Sequence, residues 1–135
     1  MPDIWIQRAN FGVKEIYDVE PQTAMDVLQR TNWAELIAET WKLLAAGKPS
    51  YHVGFGIVFK TGDFLHLIEP ENPPYQGLFH FYSERKILGL FPVTNLYTQS
   101  FYHLTEENLM KILENWQPGQ SDCVIDRLLS REENS

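Results

Sequence analysis

The stretch Tyr51-His52-Val53-Gly54-Phe55-Gly56-Ile57-Val58-Phe59-Lys60-Thr61-Gly62-Asp63-Phe64-Leu65-His66-Leu67-Ile68 decides the fold. Tyr51 to Lys60 is dense in aromatic and β-branched residues, which suit a half-buried pleated surface. Thr61-Gly62-Asp63 is a tight-turn triplet, and Phe64 to Ile68 returns. The reading is a β-hairpin, and it makes the middle of the chain a run of strands joined by short turns. Short turns join antiparallel strands, whereas parallel strands need long crossovers.

Downstream of the hairpin, Glu69-Pro70-Glu71-Asn72-Pro73-Pro74 carries three prolines in five residues. Proline donates no ladder hydrogen bond, so the segment reads as a stiff loop. Gly77 to Ser83 reads as the next strand, Glu84-Arg85-Lys86 as a turn, and Ile87 to Phe91 as the returning strand, ended by Pro92. Leu96 to Leu104 is one further strand.

Upstream, Ile4-Trp5-Ile6 and Val13 to Tyr17 are short β-rich runs, and Asn10-Phe11-Gly12 between them makes a second hairpin. Pro21 opens a helix with Ala24, Val27 and Leu28 as its apolar stripe. Asn32 with Glu35 has capping-box spacing and opens another helix. On it Trp33, Leu36, Ile37, Thr40 and Leu44 share a face, while Glu35, Glu39 and Lys42 sit away from it. Gly47 and Pro49 stop it.

The C-terminal third is helical. Thr105 caps a helix whose first turn carries Glu106 and Glu107 and whose stripe is Leu109, Ile112, Leu113 and Trp116. Ser121 or Asp122 caps a last short helix with Val124, Ile125, Leu128 and Leu129, and Arg131 to Ser135 reads as a frayed tail. The expected fold is α+β: one domain over residues 1–135, with an antiparallel sheet of about five to seven strands. Two helices follow the N-terminal strands and two C-terminal helices pack on the sheet.

Bulk properties restrict the function. The 135 residues are 44% hydrophobic, enough for a real core. The net charge is −7, which disfavours direct binding to nucleic acid or to an anionic membrane. It permits a basic protein partner. The acid excess is two over residues 1–67 and five over residues 68–135. The lone cysteine, Cys123, makes no internal disulfide, and no basic-then-apolar leader opens the sequence, so a cytoplasmic location is expected.

Chemistry-bearing patterns are sparse. Cys123 beside Asp122 at a helix start is a candidate thiolate, with His80 or His103 as a base, set against a half-buried structural cysteine. His52, His66, His80 and His103 all fall on expected strands, but no pair has close ligand spacing. Strand parity puts His66 with Phe64 and Ile68, His80 with Leu78 and Tyr82, and His103 with Phe101, which suggests inward or half-buried positions. Gly54-Phe55-Gly56 lacks the third glycine and the helix of a phosphate loop. The two glycines instead leave room on one strand face for a bulge or a large neighbour such as Trp33 or Trp41. No catalytic residue, metal site or cofactor is assigned.

Two surfaces remain as candidates. The segment Glu69 to Gln76 combines rigidity, acids and an exposed-looking aromatic, Tyr75, of the kind that anchors interfaces. With Glu69, Glu71 and Tyr75, the acids Glu106 and Glu107 extend a negative surface toward a basic partner. Alternatively Tyr51, His66, His80, Tyr82, Tyr102 and His103 line an aromatic, histidine-bearing pocket for a small molecule. The first expectation resembles, in profile alone, an immunity or inhibitor protein for a bacterial toxin. A third is a structural subunit with Trp5 as a contact on an edge strand.

Overall fold

The computed structural model describes residues 1–60, 62–87 and 91–115, with side chains outside 82–95 and 115. β1 (Asp3–Gln7) and β2 (Val13–Ile16) form the N-terminal hairpin. α1 (Pro21–Arg30) and α2 (Trp33–Ala45) follow, then β3 (Gly54–Val58), β4 (Phe64–Ile68), β5 (Tyr75–Ile87), β6 (Phe91–Leu104) and α3 (Glu106–Asn115). The six strands make one sheet in the order β2-β1-β3-β4-β5-β6, and every pairing is antiparallel. The class is α+β, as expected. None of the described helices is long and apolar enough to cross a membrane.

The strand alternation determines what lies where. Ile4, Ile6, Phe55, Ile57, Leu65, Leu67, Phe79 and Phe101 point to one face. There they join Ala24, Met25 and Leu28 of α1, Trp33 of α2, and Leu109, Ile112 and Leu113 of α3 in a single buried cluster. Trp33 meets Phe55 edge-on at 6.2 Å. All three helices therefore cover the same side of the sheet.

Local chemistry starts the helices. Pro21 stands in the first turn of α1, where its missing N–H costs nothing. The Asn32 side chain accepts from Glu35 N at 3.1 Å and donates to Glu35 Oε2 at 3.3 Å. Thr105 Oγ1 accepts from Asn108 N at 3.2 Å, opening α3. Of the α2 stripe, only Trp33 is buried; Leu36 and Ile37 are half-buried and Leu44 is exposed.

Several expectations are corrected. The described residues hold three helices, not two pairs. The second C-terminal helix, Trp116, Cys123 and the tail lie outside the described residues. The strands expected at 77–83, 87–91 and 96–104 are two long ones, because β5 runs through Glu84-Arg85-Lys86 and Ile87 pairs with Phe91. That charged triplet contains no Gly, Pro, Asn or Asp, so polarity alone is a weak turn signal there. Pro92 sits within β6, which pairs with β5 alone, and an edge strand tolerates a proline. β1 lies between β2 and β3, so Trp5 is on an interior strand rather than an edge.

Candidate functional site

The proline loop, the α1–α2 junction and the start of α3 meet around a cleft of about 380 Å³. Leu28, Gln29, Thr31, Asn32, Trp33 and Ala34 form one wall. Pro70, Glu71, Asn72, Pro73 and Tyr75 form the other, with Glu106 closing the end. The loop is held in place at its start: Glu69 N donates to Val53 O at 2.9 Å, and Pro70 is buried. The Pro73–Pro74 peptide is cis.

Three of the five residues expected to bind a partner thus converge: Glu71, Tyr75 and Glu106 all line the cleft. The other two do not. Glu69 is exposed outside it, with its backbone in the left-handed region at φ 46°. Glu107 is exposed and pairs along the helix with Lys111 at 3.1 Å. Tyr75 was expected as an exposed aromatic; it is 4% exposed. Its ring is the first core-facing residue of β5, opposite Leu104. Burial, and then the Glu106 charge, push its hydroxyl up to about 12.

The cleft's electrostatics are one-sided. Glu71 and Glu106 carry negative charge, and no Lys, Arg or His is among the described residues lining it. Gln29 Nε2 donates to Glu106 Oε2 at 3.0 Å, and the positive end of α3 favours a carboxylate at its first position.

The six expected pocket residues are dispersed. Tyr51 is exposed and sits 5.8 Å from the Phe11 ring. Tyr102 is exposed, and Tyr102 and His103 together face the single Gln76 where the β5–β6 register shifts. That shift interrupts the alternation on which the pairing of His103 with Phe101 rests. Tyr82 pairs with Leu96 along the backbone, its side chain lying outside the described residues. His52 is exposed and precedes β3 rather than lying on a strand.

Of the expected pocket residues whose side chains are described, His66 and His80 come together, as diagonal neighbours on β4 and β5. They are half-buried, on the sheet face opposite the helices. His66 lies 5.0 Å from the Trp5 ring, and His80 stacks on Phe64 at 4.2 Å. His80 Nδ1 meets Thr98 Oγ1 at 2.9 Å. Burial lowers the pKa of both, and for His66 the nearby His80 and His52 lower it further. His66 Nε2 is buried without a hydrogen-bond partner.

The glycines of β3 explain this arrangement, but with other neighbours than Trp33 or Trp41. A side chain at Gly56 would strike the Trp5 indole, and one at Gly54 would strike the His66 ring. Both rings come close against β3 because those positions are bare. Periodicity shows which face Gly54 and Gly56 occupy; it does not show which strand lies alongside. Among the described residues no three His, Cys, Asp or Glu side chains are grouped to hold a metal ion.

What sequence reading missed is the other wall of the cleft: Gln29, Thr31 and Asn32. Their signal as a site is weak, since capping and turn residues at a helix junction look the same with or without a cleft beside them. Compared with protein-family models, curated proteins and solved structures, the chain matches none.

Proposed function

We propose that the chain is a small, cytoplasmic protein-binding module that neutralises or regulates a basic protein partner, in the manner of an immunity or inhibitor protein for a bacterial toxin. One observation carries the reading: Glu71 and Glu106, 35 residues apart in sequence, line one cleft that has no basic residue among its described lining. A cleft wall that carries acids and no basic side chain among its described lining presents a one-signed surface. A complementary cationic surface is drawn to it and encounters it faster. The overall charge of −7 has the same sign, so long-range attraction and the local cleft favour one class of partner.

A second reading, small-molecule binding, draws support from the meeting of His66 and His80 with Trp5 and Phe64 on the sheet face away from the helices. These aromatic and imidazole groups would take a flat, apolar molecule with one or two polar atoms. The structural-subunit reading loses its argument, since Trp5 is on an interior strand.

The test is affinity capture of the tagged chain from its native cell over a salt series. The binding-module reading expects one basic protein to be recovered at low salt. Its recovery should fall steeply between about 0.1 and 0.5 M salt, as screening shortens from roughly 10 Å. Copurification of a metabolite with no protein would reject it in favour of the second reading.

A further inference from the structure

The hydrogen-bonding inventory of the cleft is lopsided. Its side-chain donors are largely committed within the protein: Gln29 Nε2 to Glu106, Thr31 Oγ1 to Val27 O at 2.6 Å, Asn32 Nδ2 to Glu35, and Trp33 Nε1 to Leu28 O at 2.8 Å. The Asn72 amide is the exception. Acceptors remain open. Gln29 engages one oxygen of Glu106, whereas a carboxylate has about four lone-pair sites. Glu71 is exposed at the other side.

Tyr75 is the second, independent sign of a ligand. It is more than nine-tenths buried, it lines the cleft, and the described residues give its hydroxyl no hydrogen bond. An oxygen at the cleft wall with no partner among the described residues leaves both its donor and its acceptor capacity open to a ligand. A ligand fitting this cleft is therefore a donor-rich cation.

Resting on the binding-module reading, we infer that the cleft is a socket for one arginine side chain of the partner protein, its guanidinium lying between Glu71 and Glu106 and donating to the Tyr75 hydroxyl. Arginine fits better than lysine for three reasons. Its five donors are fixed in a plane, so it can serve two carboxylates and a hydroxyl at once. Its flat face can lie on the Pro70 and Pro73 rings, where a strongly hydrated ammonium gains less. The volume, about 380 Å³, is at the small end of ligand sites, suited to a single side chain rather than a cofactor.

The experiment titrates N-acetyl-arginine N-methylamide into the full chain and follows the backbone amide spectrum by NMR. The citrulline and lysine analogues serve as comparisons. The arginine probe is expected to shift signals from residues 28–34, 70–75 and 106, with a dissociation constant on the order of 1 mM, reasonable for so small a ligand. The lysine probe should bind more weakly, and neutral citrulline should leave the signals in place. Glu106→Gln is expected to weaken the arginine probe about tenfold, and Tyr75→Phe several-fold. Glu107→Gln, one residue along but outside the cleft, should leave binding unchanged.

Equal shifts from citrulline, shifts confined to other residues, or an unchanged affinity in a folded Glu106→Gln variant would each overturn the socket. The partner reading fails separately. If the probe does not bind but a captured basic protein is still lost on neutralising Glu71 and Glu106, the socket is wrong and the binding module stands. If neither effect is seen, both fall.

Discussion

Gly56 and Trp5 face each other across β1 and β3, and the indole occupies the space a side chain at position 56 would need. Gly56→Ala should therefore push Trp5 off the sheet and cost about 1–3 kcal/mol, as overpacking of a filled site does. Chemical denaturation followed by tryptophan fluorescence measures this, with a shifted Trp5 environment in the folded baseline. An unchanged midpoint would mean that the indole does not need its glycine seat. The sequence shows that glycines at 54 and 56 leave one strand face bare, but which rings fill it depends on strand order, which a single chain does not spell out. Tyr75 shows the same limit. An aromatic after three prolines looks like a surface anchor, yet it is also the first inward position of β5, and pairing with Leu104 buries it.

At the scale of elements, the helix starts were legible because their chemistry is local. Asn32, three residues before Glu35, caps α2 as its spacing implies. Asn32→Ala should cost about 1 kcal/mol of stability, read as a fall in thermal midpoint, while the strands keep their pairing. No change would mean that packing of Trp33 alone holds the helix start. The β3–β4 hairpin and the N-terminal hairpin were legible for the same reason. The β5–β6 hairpin was read with its reversal four residues too early, since Glu84-Arg85-Lys86 is polar without being turn-forming. The α2 stripe was correct in spacing and too generous in burial: Trp33 is buried, Leu36 and Ile37 pack on the core half-buried, and Leu44 remains exposed.

At the scale of the whole molecule, the sheet has one face under three helices and another bearing Trp5, Phe64, His66 and His80. That second face makes stability depend on pH. His66 and His80 have pKa values lowered by burial, so the unfolded chain binds protons more readily than the folded one. The stability they contribute is complete above the unfolded value of about 6.5 and is lost as pH falls from there through the lowered folded values. The thermal midpoint should drop between pH 7 and pH 5, and His66→Gln should make that drop smaller. An equal drop in the variant would place the acid sensitivity elsewhere.

The charge asymmetry toward the second half of the chain was legible in the sequence. The cleft was not, because it joins residues near 30, 70 and 106 that only the fold brings together. Its role as the partner-binding site is the central claim. The most direct measurement compares capture of the basic partner by three forms: the native chain, Glu71→Gln/Glu106→Gln, and Glu15→Gln/Glu114→Gln. The last pair removes the same charge from exposed positions on β2 and at the far end of α3. The account predicts that the cleft pair loses the partner while the distant pair retains it. Equal retention or equal loss in the two double variants would contradict it.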